Sequence, residues 1–150
     1  MDSRTCGACT ACCTALGVTD LPVPKPDWTP CKHLCGAGCG IYARRPGSCR
    51  EYQCLWRGGV GDENERPDVL GLIFEPWEPP DGDDLGTIVR ETIPGAFERF
   101  IGSGTALAAI VASAPAYVVL PSGDRRLCGP PERLRRIWAA VEAKKARRRA

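Results

Sequence analysis

The stretch Cys6-Gly-Ala-Cys9-Thr-Ala-Cys12-Cys13 places four thiols within eight residues. A thiolate is a soft donor that selects Zn²⁺, Cu(I) or iron–sulfur clusters over Mg²⁺ and Ca²⁺. A C-x-x-C step lets one turn offer two sulfurs to one metal while its amides donate to them. Cys6–Cys9 and Cys9–Cys12 are both such steps. A second group follows between residues 31 and 54, in which Cys31, Cys39, Cys49 and Cys54 are the best candidates to complete the set. Eight thiolates suffice for two all-cysteine tetrahedral sites, or for one cluster plus a second metal. The opening also resembles a ferredoxin run, but the fourth cysteine comes at once and Thr14 stands where that run has proline. The adjacent Cys12 and Cys13 can serve different metals or opposite sides of one compact site.

His33, the sole histidine, lies two residues after Cys31 and is a candidate ligand or a donor to a ligand sulfur. Cys35 is ambiguous, and Cys128 reads as a strand thiol behaving as a small apolar side chain. Other chemistry is poorly supplied. The chain has no H-E-x-x-H, no Ser-His-Asp grouping and no phosphate-cradling glycine loop. Glu75, Asp83 and Asp84 fall in or near a turn and read as solvated carboxylates. No catalytic residue is assigned.

The elements that must hold these thiols follow from composition. Nine of the ten cysteines precede residue 55, so a cysteine-dense front (1–57) meets a conventional rear (58–150), the two expected to pack together. Residues 5–16 suit one or two helical turns, with the cysteines near one face. Residues 17–30 are proline-rich and read as an extended spacer. Gly36, Gly38 and Gly40 permit tight turns, and a short helix is expected from about Ser48 to Trp56 with Ser48 as N-cap. Tyr42, Tyr52 and Trp56 read as the apolar skin of this front.

In the rear, VLGLIFEPW and TIVRET read as paired strands, and AYVVL and RRLCG as a hairpin around PSGD. Helix is expected from Pro94 to about Ala114, broken near Gly102 and Gly104. A last helix opens at Pro130–Pro131 and spaces Leu134, Ile137, Trp138 and Val141 as one buried face. The expected class is α+β: an irregular cysteine-rich module, then a small antiparallel sheet with two helices.

Ten cysteines without a signal-peptide pattern or a long apolar run point to a reducing, cytoplasmic setting, where metal is favoured over disulfides. No membrane association is expected. From Glu132 onward eight Lys or Arg face two Glu. Cations at a helix C-terminus suit its macrodipole, and that reading is preferred to nucleic-acid binding.

Taken together, CxxCxxCC at 6–13, CKHL at 31–34 and GCGIYARRPGSCREYQCLW at 38–56 resemble the YkgJ-like cysteine-cluster proteins, described as a zinc- or iron-chelating domain. The resemblance covers residues 6–56 in order and spacing. It implies that Cys6, Cys9, Cys12, Cys13, Cys31, Cys39, Cys49 and Cys54 are the metal ligands. Cys35 departs from the family's pattern. A similar cluster in flagellin lysine methylase-like proteins makes an iron–sulfur cluster an alternative to zinc.

The expected function is therefore metal binding, with zinc or iron as the cofactor. The alternatives are an iron–sulfur enzyme or its protein partner, and a zinc module that binds nucleic acid through the basic tail. Two divalent metals with eight thiolates would carry roughly −4. Arg44, Arg45 and Arg50 are the expected offsets.

Overall fold

A computed structural model describes residues 4–36, 38–82 and 85–149. Asp83 and Asp84, considered above as carboxylates, lie outside the described residues. The class is α+β, with a two-stranded and a four-stranded sheet.

The rear is organised around the larger sheet, in the order β3 (Leu72–Trp77), β4 (Gly86–Glu91), β5 (Ala116–Val119) and β6 (Arg125–Cys128). The β3–β4 and β5–β6 pairs are antiparallel, as expected, but β4 and β5 run parallel. The sheet is thus mixed rather than antiparallel. The cause is the helical connection: a parallel return needs a crossover long enough to carry the chain back. Two helices supply it, α4 (Ala96–Ile101) and α5 (Ala106–Ser113). They break apart around Gly102 and Gly104, and the Thr105 hydroxyl caps α5 by accepting from the Ala108 amide at 3.2 Å.

These helices bury Phe97, Phe100, Leu107 and Val111 against Leu72, Phe74, Val89 and Val118. The Phe74 and Phe100 rings lie 5.0 Å apart. Cys128 is half-buried at the margin of this core. Val69 and Leu70, expected as the start of a strand, instead end a single helical turn, α3 (Pro67–Leu70). Gly71 ends it in the left-handed region, where a side chain would also strike Ile93.

Alternation along β3 joins front to rear. Leu72 and Phe74 face the helices, while Ile73, 1% exposed, faces the other way and packs with Ala11, Ala15, Cys9, Cys12 and Cys54. The Leu55 amide donates to the Phe74 carbonyl at 2.8 Å. The glycine-rich stretch after Arg57 is also tied in. Arg4 donates to the Gly61 carbonyl at 2.7 Å, and Trp56 Nε1 donates to the Asp62 carbonyl at 3.0 Å.

The last helix, α6 (Pro131–Arg149), begins where expected, but its expected face is not buried as a whole. Ile137 is 2% exposed and Trp138 is 55% exposed; Leu134 and Val141 are half-buried. In its first turn Arg133 Nε lies 3.4 Å from Asp81 Oδ2. Residues 142–149 are exposed all round. Among the described residues, no helix is long and apolar enough to cross a membrane.

Candidate metal centre

Three stretches of chain bring the cysteines together. The first contains a turn in which the Cys9 amide donates to the Cys6 carbonyl at 2.8 Å, followed by α1 (Ala11–Ala15), which carries Cys12 and Cys13. The second is a small hairpin, β1 (Leu34–Cys35) and β2 (Gly38–Cys39), entered through Cys31. The third runs through α2 (Gly47–Glu51), which carries Cys49, to Cys54.

The hairpin approaches the first turn closely. A Cβ on Gly38, at φ +115°, would lie 3.1 Å from the Gly7 carbonyl oxygen, so only glycine fits there. Helix α2 spans fewer residues than expected, and Ser48 lies inside it rather than at its N-cap. The cap is remote: Asp20 accepts from the Ser48 amide at 2.9 Å and from its hydroxyl. The spacer therefore has a structural role. It also forms an antiparallel bridge between Val18 and Lys25.

Cys6, Cys9, Cys12, Cys13, Cys31, Cys39, Cys49 and Cys54 all line one cavity of about 210 Å³. All eight are half-buried. His33 and Cys35 are not in its wall; Cys35 is exposed, its thiol 3.4 Å from the Gly38 carbonyl. Tyr42, Tyr52 and Trp56 line the cavity too, although Tyr42 is 41% exposed and only Trp56 is buried. No imidazole or carboxylate stands in the described wall.

The cations near the thiols differ from those expected. Arg44 and Arg50 are exposed, and only Arg45 of the three reaches the cavity, its guanidinium 3.6 Å from the centre of the Tyr42 ring. Arg57 joins it in the wall. The Nε atoms of both arginines are buried without a hydrogen-bond partner. Lys25 was not apparent as a site residue, because nothing local marks a lysine between two prolines. It is buried and donates to the Thr14 carbonyl at 3.2 Å, to the Leu16 carbonyl, and to the Pro26 carbonyl at 3.1 Å. It thus satisfies carbonyls at the end of α1.

Electrostatics divide the thiols. Interaction with Cys12, helped by Lys25 and Arg45, lowers the Cys13 thiol to about 7. Cys12 is pushed far up by the same interaction and by burial. Burial raises Cys9 to about 11, and the Asp68 carboxylate adds to it. Burial likewise raises Cys49 and Cys54.

The donor chemistry fits a thiophilic metal: eight soft sulfurs on one wall, with cations beside them. Their spacing is looser than a closed site. Among the described residues, no three potential ligands converge closely enough to hold one ion. Loading would have to draw the sulfurs inward, as expected where binding and folding are coupled. No family model, no curated protein and no solved structure matches the chain.

Proposed function

We propose that this is a cytoplasmic metal-binding protein that takes up zinc or iron through Cys6, Cys9, Cys12, Cys13, Cys31, Cys39, Cys49 and Cys54. One observation carries the reading. The eight cysteines nominated by spacing, and by the resemblance to the YkgJ-like proteins, surround a single cavity, and the two left out do not. A wall in which eight thiols converge on one cavity favours holding a soft metal.

The test is metal analysis with visible spectroscopy on protein prepared and reconstituted without oxygen. Stoichiometric zinc in colourless protein supports a zinc site. Bound iron with a broad brown absorption supports a cluster, and with it the redox-enzyme or enzyme-partner alternative. Protein that takes up neither metal under these conditions overturns the proposal.

The exposed end of α6, with Trp138 on its open side, favours one second reading, contact with nucleic-acid phosphates. Binding that weakens with salt and is lost on deleting Lys144–Ala150 would support it. Absence of binding by the full chain removes it.

A further inference from the structure

The far end of α6 is unlike the rest of the surface. The body holds the helix at Ile137, 2% exposed, and at Arg133 beside Asp81. Past Val141, residues 142–149 are exposed on every side. This stretch extends about 12 Å at 1.5 Å per residue. It carries five cations, Lys144, Lys145, Arg147, Arg148 and Arg149, against one carboxylate, Glu142. Glu142 pairs with Lys145 at 2.8 Å, and the other four cations make no ion pair among the described residues. The helix macrodipole accounts for cations in the last turn. It does not account for Trp138, left 55% exposed where the helix leaves the body. Lys145 and Arg149 follow Trp138 on the same side of the helix, about 10 and 17 Å further along its axis. A largely solvated indole thus heads a row of cations.

We infer that α6 binds single-stranded nucleic acid, with Trp138 stacked on an unpaired base and the cations from Lys144 to Arg149 along the phosphates. The inference rests on the second reading above and deepens it by naming the form of the strand. Charge complementarity selects a polyanion. A duplex would answer the charge equally well, but its base faces already stack on one another and leave none for the indole. An unpaired strand offers both phosphates and free base faces, the combination that single-strand binders meet with a basic track and an aromatic platform. An anionic lipid surface would call for an apolar helix face to insert beside the charges. Here Ile137 is buried and Leu134 and Val141 are half-buried, which leaves one ring. The helix has no Asn, Gln, Ser or Thr to read base edges, so binding should vary little with sequence. No residue of α6 lines the thiol cavity, so binding should not require metal.

The experiment measures fluorescence anisotropy of a labelled oligothymidylate, and of a mixed-sequence duplex of the same length, as the full chain is added at several salt concentrations. The single strand should bind more tightly than the duplex. Five neutralised phosphates predict a slope of log affinity against log salt of about −3.5. Trp138→Ala should weaken single-strand binding by roughly tenfold or more, the scale of one base–aromatic stack, and leave that slope unchanged. Deleting Lys144–Ala150 should flatten the slope. Both changes fall on exposed positions, and circular dichroism confirms that the variants are folded. Duplex binding as tight as single-strand binding, or an unchanged affinity in Trp138→Ala, would overturn the inference and leave the phosphate reading standing. Absence of binding to either probe would bring down the phosphate reading itself. Two controls test other occupants: vesicles of phosphatidylcholine with phosphatidylserine, and sedimentation of the chain alone. Binding to the vesicles in place of the strand, or a dimer lost in Trp138→Ala, would also overturn the inference.

Discussion

The amide of Cys31 donates to the carbonyl of Cys13 at 3.0 Å, although a proline-rich spacer separates them in the chain. This bond closes the spacer into a loop and sets the second cysteine group beside the first. It also puts a backbone hydrogen bond at the end of α1, where a carbonyl would otherwise lack a partner.

Cys13 should be the most reactive cavity thiol at neutral pH in the metal-free protein. Its thiol is lowered to about 7 while that of Cys9 is raised to about 11, so at pH 7 the first is about half thiolate and the second almost wholly protonated. Alkylation of Cys13 should rise through a midpoint near pH 7, and that of Cys9 only in strong alkali. Cys12→Ala should move the Cys13 midpoint upward, because interaction with Cys12 is its main cause. Site-resolved labelling against pH measures both.

Asp20→Asn should lower the melting temperature at pH 7. The Ser48 hydroxyl and amide hold the Asp20 carboxyl below its ordinary 3.8, so its contribution is complete above that pH and fades as pH falls through the depressed value. The wild type and the variant should therefore melt apart at pH 7 and converge in acid. Equal separation at both pH values would show that the charge on Asp20 is not what holds α2.

Gly38→Ala should cost about 1–3 kcal/mol, the scale of a side chain forced into a strained backbone region. It also presses a methyl against the Gly7 carbonyl. Gly36→Ala, with open space around the added carbon, should be close to neutral. Chemical denaturation of the metal-free proteins compares the two.

Ile73→Ala should cost about 2–5 kcal/mol, since it opens a cavity where the cysteine-bearing front meets β3. Ile137→Ala should cost a similar amount through α6. Trp138→Ala should stay within roughly 0.5 kcal/mol, because its ring is largely in solvent. A large loss at Trp138 would mean that α6 packs on the face expected from its periodicity.

Much of the fold was legible where the signal is local. The PSGD hairpin, the break between α4 and α5 and the opening of α6 follow from turn residues, the glycines at 102 and 104 and helix-opening prolines, each acting within a few positions. The same holds for the eight cysteines. The resemblance to the YkgJ-like proteins sets them apart from Cys35, which the residues alone leave ambiguous, and the wall of the cavity leaves out both Cys35 and Cys128.

What the sequence could not determine depends on contacts between distant residues. The parallel pairing of β4 with β5 arises because α4 and α5 carry the chain across the sheet. The exposure of Trp138 depends on how much of α6 finds a surface to meet, which a 3.6-residue period does not encode. Lys25 and Arg57 enter the surroundings of the thiols, and Arg44 and Arg50 leave them, because charge pairing depends on distance in space, not in the chain. The sequence alone thus determined which sulfurs are available and that soft-metal chemistry suits them. The tertiary structure alone decided which stand beside one another, because Ile73 on β3 packs against Cys9, Cys12 and Cys54 while the returning spacer bonds Cys31 to the backbone of Cys13.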